Sequence, residues 1–155
     1  DVIDLGYNYR MSEVHAAIGI EQMKKLPSFL AKRKTNFNML ESLLRSENKF
    51  RILPQPIDEL RKSSHYCMGI ILDAHLAENR ATIMNQLKSK GIGTSIYYPH
   101  PVPHMTYYND KYGNTFCPNA ETISNSIIAL PVGPHLDSID MQTVADGICS
   151  VLREH

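Results

Sequence analysis

The feature that most constrains the fold is a helical periodicity of apolar residues that begins just after Ser12. Serine is a favoured N-cap, because its hydroxyl can accept a hydrogen bond from a free N–H of the first turn. Pro27 should stop or kink this helix, because proline lacks a backbone N–H and clashes with the preceding turn. Since proline suits the first turn of a new helix, we expect a second helical stretch that runs to about Leu44 and meets the first at an elbow. The apolar positions of the two stretches are Val14, Ala17, Ile18, Met23, Leu26, Phe29, Leu30, Phe37, Leu40, Leu43 and Leu44.

The rest of the chain has the pattern of short strands and further helices. Strands are predicted at 50–53, 64–73 and 92–98, and helices at about 119–130 and 138–152. In the second strand Tyr66, Met68, Ile70 and Leu72 are expected to share one face. A further helix opens at Asn79 or Thr82 and closes at Gly91, where helices prefer glycine. The order strand, helix, strand fits a parallel crossover or a split pairing, and the pattern leaves both open. The predicted fold class is α+β, with a long kinked N-terminal helix, a small sheet of about three strands, and helices on one face.

Composition restricts the class of protein. The chain has 155 residues, of which 43% are hydrophobic and 21% charged, as in one ordinary soluble domain. Sixteen basic residues balance sixteen acidic ones, so no overall field favours nucleic acid or an anionic membrane. The three cysteines are widely spaced, without a CxxC motif, so we expect no disulfide framework and no zinc cluster. The longest apolar run is too short to span a bilayer. A cytoplasmic setting fits best.

A basic run lies near the predicted elbow and has two possible interpretations. A solvated helix face is favoured over a phosphate or nucleic-acid contact, because no glycine or aromatic residue is interleaved with the charges. The run consists of Lys24, Lys25, Lys32, Arg33 and Lys34.

The segment between Tyr97 and Asn119, YYPHPVPHMTYYNDKYGNTFCP, is rich in prolines and aromatics and is predicted to be a long loop. His100 and His104 are four residues apart, but the intervening prolines exclude a helix that would point both at a metal ion. Three interpretations stay open: a metal site, packing of the loop on the sheet, and a polar, aromatic pocket wall. The last is favoured, because tyrosine and histidine combine an apolar body with a hydrogen-bonding tip that suits a sugar or planar cofactor.

The N-terminal GYNYR segment offers hydrogen-bond donors before a helix. Asn8 and Arg10 could hold a phosphate there, although a glycine turn followed by a cap explains the same residues. His15 is expected to be a packing residue rather than a ligand.

Three separated motifs together resemble one known family. They are GYNYRMSEVHAAIGIEQMKKL, LKSKGIGTSIYYPHPVPH and IIALPVGPHL, and the resemblance that they carry, in the right order and spacing, covers nearly the whole chain. They are similar to the C-terminal portion of the DegT/DnrJ/EryC1/StrS family, which are pyridoxal-phosphate-dependent nucleotide-sugar aminotransferases of the aspartate-aminotransferase fold (fold type I). The resemblance implies that 1–11 link to a large domain and that 12–155 form the small C-terminal domain.

The resemblance also implies roles for particular residues. Asn8, with Arg10, matches positions that contact the cofactor phosphate bound in the neighbouring subunit of a homodimer. Tyr97, Tyr98 and His104 match the segment beside the sugar-nucleotide pocket. This chain has Tyr97 where relatives have histidine, and one extra residue near Pro103, so either His100 or His104 could inherit the contact.

What the chain lacks is equally informative. The family's chemistry needs a lysine bonded to the cofactor, an aspartate at the pyridine nitrogen and an aromatic residue on the ring. None of the nine lysines lies in a sequence that matches the surroundings of the family's cofactor-bonded lysine, so the chain alone is expected to be inactive. For the intact protein the resemblance implies amino transfer, typically from glutamate, to a nucleotide-linked keto-sugar in polysaccharide or lipopolysaccharide biosynthesis. The alternative is a non-catalytic module that dimerises or binds a sugar nucleotide in a regulator.

Overall fold

The computed structural model describes residues 6–7, 9–55, 58 and 60–155. In this part of the chain, a three-stranded antiparallel sheet consists of β1 (Phe50–Ile52), β2 (Met68–Leu72) and β3 (Ile127–Leu130), in the order β1-β2-β3. The helices are α1 (Glu13–Leu44), α2 (Ala74–Ala77), α3 (Arg80–Ser89), α4 (Thr106–Tyr112), α5 (Pro118–Ser126) and α6 (Ser138–Arg153), and Val102–His104 form a 3-10 turn. The predicted α+β class and three-stranded sheet are confirmed.

Helix α1 is continuous through Pro27, so the prediction of two helices was wrong. Pro27 lies on the exposed part of the helix, where the carbonyl that loses its hydrogen-bond partner can be solvated. Only the C-terminal part of α1 enters the core, through Phe37, Leu40 and Leu44. The core therefore anchors the C-terminal part of α1, and the hydrogen bond lost at Pro27 does not break the helix.

The core lies between one face of the sheet and helices α1, α3 and α6. Met68, Ile70 and Leu72 alternate along β2 and all belong to this core, as the strand pattern predicted. Helix α6 begins with a capping box of Asp137 and Asp140, which explains why its start was predictable. Its buried face consists of Met141, Val144, Ala145, Gly147, Ile148, Val151 and Leu152.

Two predicted elements differ from the structure around β3. The predicted helix at 119–130 ends at Ser126, and the run Ile127–Leu130 is a strand, paired antiparallel with β2 from Ile71↔Ile127 to Met68↔Leu130. All of β3 is buried, and a fully apolar run lacks the alternation that distinguishes a strand from a buried helix. The predicted strand at 92–98 forms only a bridge between Ser95 and Ala129.

Gly91 ends a helix as predicted, whereas the loop after Tyr97 differs from its prediction. Gly91 follows α3 with a φ of +79°, a left-handed conformation that glycine adopts without strain, so the predicted helix end is confirmed. The long loop after Tyr97 is partly helical, because it contains the 3-10 turn and α4.

Across the described ranges, no helix is both long and apolar enough to cross a membrane.

Candidate functional site

A cleft of about 290 Å³ opens between α1, the residue pair before β2, the segment at 93–97 and the turn at 131–135 that follows β3. We call it the aromatic cleft. The residues that matter most for its chemistry are Arg33, Tyr66, Cys67, Ser95, Tyr97 and His135. None of its lining residues is acidic. The cleft therefore combines basic and hydroxyl-bearing side chains without a carboxylate.

Two tyrosines line the aromatic cleft. The ring centroids of Tyr66 and Tyr97 are 5.8 Å apart with planes tilted by 41°, and Tyr98 continues the series at 5.5 Å from Tyr97. Hydrogen bonding to the Tyr97 side chain, followed by its charge, raises the pKa of the Tyr66 phenol. The Tyr66 phenol therefore stays protonated at neutral pH.

Arg33 places a positive charge beside these tyrosines. Its Cζ lies 5.6 Å from the centroid of the Tyr66 ring, a cation–π arrangement. The side chain is half-buried, and its Nε is buried without a hydrogen-bond partner in the described part of the chain. Sequence reasoning treated Arg33 as one charge of a solvated run. Its spacing of four residues from Phe37 was the signal that it lies on the buried face.

The turn after β3 brings His135 close to the backbone. A Cβ placed on Gly133 would lie 2.5 Å from His135 Cε1, so glycine permits the imidazole to pack where it does. Among the other lining residues, burial raises the pKa of the Cys67 thiol. A neutral thiol is a poor nucleophile, so Cys67 contributes shape rather than covalent chemistry.

The two predicted histidines lie outside the aromatic cleft. His104 Nε2 lies 2.8 Å from the carbonyl oxygen of Thr115 and 3.6 Å from Glu121 Oε1. Glu121 Oε1 also accepts a hydrogen bond of 3.1 Å from the backbone N–H of Cys117. His104 therefore fastens the proline-rich segment to the start of α5, while His100 is exposed. Of the residues predicted to form the pocket wall, Tyr97 lines the cleft and exposed Tyr98 adjoins it.

No cluster of three metal-binding side chains occurs among the described residues. The three cysteines are free. The chemistry that the described part offers is therefore recognition by aromatic, hydroxyl and cationic groups.

The N-terminal donors lie at the start of α1. Ser12 is the N-cap, and its Oγ accepts from the backbone N–H of His15 at 3.4 Å and lies 2.8 Å from His15 Nδ1. His15 is exposed, so the expectation that it packs in the interior was wrong. Arg10 is exposed beside Tyr9, and Asn8 lies outside the described residues.

The sequence signature of the DegT/DnrJ/EryC1/StrS aminotransferase family matches residues 1–149, and the chain belongs to this family. It is 28% identical over 154 residues to the UDP-4-amino-4,6-dideoxy-N-acetyl-beta-L-altrosamine transaminase of Campylobacter jejuni subsp. jejuni serotype O:2, a match that covers 99% of this chain and 40% of that protein. The chain thus spans about two fifths of this relative's length.

Solved structures show the same fold. Helicobacter pylori PseC, an aminotransferase involved in the biosynthesis of pseudoaminic acid, superposes with a TM-score of 0.88 at 22% identity, over 100% of this chain and 41% of that chain. The aminotransferase TlmJ from Streptoalloteichus hindustanus has a TM-score of 0.85 at 24% identity, over 99% of this chain and 40% of that chain. The predicted fold, that of the C-terminal part of a fold type I aminotransferase, is confirmed.

Proposed function

We propose that the intact protein is a pyridoxal-phosphate-dependent aminotransferase that moves an amino group, with glutamate as donor, to a keto-sugar carried by a nucleoside diphosphate. Membership of the aminotransferase family over residues 1–149 carries this proposal. The name of the Campylobacter jejuni relative, a transaminase of a UDP-linked amino sugar, supports the substrate class. The family does not favour the alternative of a non-catalytic regulatory module.

In the proposed enzyme this chain is the small domain, with 1–11 as its link to a large domain. When bound, the cofactor supplies an electron sink for the bonds around the amino-bearing carbon. The lysine bonded to it, the aspartate at its ring nitrogen and the stacked aromatic residue are expected on the large domain. We therefore expect the 155-residue chain alone to transfer no amino group.

The start of α1 is the proposed contact with the cofactor phosphate. The positive end of a 32-residue helix and the exposed guanidinium of Arg10 provide donors and charge that fit a phosphate. Asn8 is the third proposed contact. Because these groups precede a helix whose N-terminal part extends away from the core, they suit a site in a neighbouring subunit of a homodimer.

The N-terminal half of α1 supports the proposed assembly. It carries large apolar side chains that are mostly solvent-exposed, including Val14 at 69% and Met23 at 63%. A concentration of exposed large apolar side chains on one helix marks an interaction site more often than a free surface. The other members are Ile18, Ile20, Leu26 and Phe29. We refer to these six residues as the α1 apolar patch and expect the homodimer to cover it.

The proposed substrate wall consists of Tyr97, Tyr98 and one of the two histidines. Tyr97 is the member that lines the aromatic cleft, so a bound sugar nucleotide would lie against it. His104 would act by holding the proline-rich segment in place, since its ring is engaged with Thr115. His100, which is exposed, is the candidate for direct contact.

Isotope transfer tests the proposal. The intact protein would be incubated with pyridoxal phosphate, glutamate labelled with ¹⁵N in its amino group, and a panel of nucleoside-diphosphate keto-sugars. Mass spectrometry should find the label in an aminated sugar nucleotide, and omission of the cofactor should abolish transfer. If the protein binds these sugar nucleotides but moves no label to any of them, it is the non-catalytic module instead.

A further inference from the structure

We propose that the aromatic cleft binds an oxyanion, with the Arg33 guanidinium as the cationic contact and the hydroxyl of Tyr97 as a hydrogen-bond donor. The proposal rests on the proposed function only for the source of this oxyanion. A carboxylate of the acidic amino donor and a phosphate of the sugar nucleotide share the required chemistry. From the sequence, Tyr97 is expected in a pocket wall, whereas Arg33 belongs to a basic run whose favoured interpretation is a solvated helix face.

The charge of Arg33 is not neutralised by the described part of the protein. Its one recorded polar contact there is with the face of the Tyr66 ring, and Nε is buried without a partner. Two other cations illustrate the contrast: Lys24 pairs with Glu21 at 2.5 Å, and the partly buried side chain of Arg80 donates to backbone carbonyls of α5 and β3. A half-buried guanidinium without a carboxylate partner loses hydration and destabilises the folded protein, and a bound anion would offset that loss.

The surroundings favour an anion over a cation or a neutral ligand. None of the residues that line the cleft is acidic, while Arg33 and His135 are basic. Because Tyr97 raises the pKa of Tyr66, the Tyr66 phenol contributes no negative charge at neutral pH. The planar guanidinium, held over the Tyr66 ring, presents its donors in the fork that matches carboxylate and phosphate oxygens.

The size of the cleft limits what can enter. Its volume of about 290 Å³ is at the lower end of the range of about 300–1,000 Å³ for pockets that enclose whole ligands. It can therefore hold the charged end of a substrate, with the rest extending past Tyr97. Access from solvent is consistent with this arrangement, because Tyr66 is 62% exposed at the mouth of the cleft.

Calorimetry on the intact protein tests the proposal with two probes. Glutarate represents the carboxylates of the donor, and UDP represents the phosphates of the acceptor. We compare wild type with Arg33→Met and with Lys25→Met, which removes the same charge from an exposed position of the same helix. Loss of a charge-assisted contact should weaken the affected probe about tenfold or more in Arg33→Met, while Lys25→Met binds as wild type does.

The pattern across probes identifies the source of the oxyanion. Weaker glutarate binding with unchanged UDP binding assigns the cleft to the amino donor, and the reverse assigns it to the nucleotide. Arg33→Lys should recover part of the affinity, and Tyr97→Phe should weaken the same probe as Arg33→Met. The proposal is overturned if wild type binds neither probe, or if Arg33→Met, shown to be folded by its thermal melting, binds both as wild type does.

The binding and isotope-transfer measurements together distinguish the oxyanion site from the proposed amino-transfer activity. If the isotope experiment detects no amino transfer but Arg33→Met still loses a probe, the oxyanion site stands and the proposed activity fails. If amino transfer occurs and no probe depends on Arg33, the activity stands and the oxyanion site fails.

Discussion

Asn36 Nδ2 lies 2.9 Å from the carbonyl oxygen of Gly133, so α1 is hydrogen-bonded directly to the turn that forms one wall of the aromatic cleft. The same amide also donates to the carbonyl of Leu136 at 3.1 Å. Asn36 is buried, with 2% of its surface exposed. One buried amide therefore fixes Arg33 on α1 relative to His135 on the turn.

Replacement of this amide should be costly. Asn36→Ala removes two hydrogen bonds and leaves two half-buried carbonyl acceptors without these partners, so we expect the free energy of unfolding to fall by about 2–3 kcal/mol. Urea denaturation followed by circular dichroism measures the change. Asn38→Ala, two residues away on the exposed side of the helix, should stay within about 0.5 kcal/mol of wild type. Equal losses in both variants would mean that the amide contacts do not stabilise the turn.

Burial of His65 predicts a pH dependence of stability. Burial, followed by the positive charge of Lys34, lowers the pKa of this imidazole below its ordinary value of 6.5 in the folded state. The unfolded chain therefore binds the proton more readily. The stability that neutral His65 contributes is complete above about pH 6.5, and it is lost as the pH falls through that value towards the folded pKa. Unfolding free energies measured across this range should decline on the acidic side.

His65→Asn should flatten that decline. Asparagine does not titrate and tolerates the positive φ of 45° that His65 adopts. The variant loses the ring contact with Phe37, centroid to centroid 4.9 Å, so its overall stability should be lower while its pH slope is shallower. His75→Asn, at an exposed position, provides the control. A decline that persists unchanged in His65→Asn would assign the effect to another group.

Replacement of His104 and replacement of His100 should affect different properties of the protein. His104→Ala removes the contact with the Thr115 carbonyl, so we expect about 1–2 kcal/mol less stability and, in the intact enzyme, a higher Michaelis constant without loss of cofactor. His100→Ala, an exposed position, should leave the unfolding free energy unchanged. If His100→Ala alone alters the Michaelis constant, His100 is the substrate contact and His104 is structural only.

Asn8 is proposed to contact the cofactor phosphate in the intact dimer. Asn8→Ala should weaken cofactor retention by about 1–3 kcal/mol, the range for one lost hydrogen bond to a charged group. Equilibrium dialysis against free pyridoxal phosphate measures this directly. Cofactor affinity equal to that of wild type would remove Asn8 from the site.

The α1 apolar patch should govern assembly. Ile18→Asp places a charge in this patch, so we expect the intact protein to shift from dimer towards monomer in light-scattering measurements. Asn38→Asp adds the same charge at an exposed position outside the patch and should leave the mass unchanged. A dimer that survives Ile18→Asp at micromolar concentrations would place the interface elsewhere.

Local signals in the sequence determined much of this structure. Ser12 and Asp137 cap helices whose starts were predicted, because a capping side chain acts on its own first turn. Alternation along β2 predicted which side chains face the core, because that pattern needs only one buried face. The order of three motifs was sufficient for the family and the fold.

Tertiary contacts decided what local signals left ambiguous. Ile127–Leu130 is a strand because β2 supplies its hydrogen-bond partners, and the apolar run itself fits a helix equally well. Helix α1 passes through Pro27 because the core anchors it beyond that point and water solvates the exposed part. The aromatic cleft joins Arg33, Tyr66 and Tyr97 from distant parts of the chain, so their shared chemistry exists only after folding has buried the surfaces that bring them together.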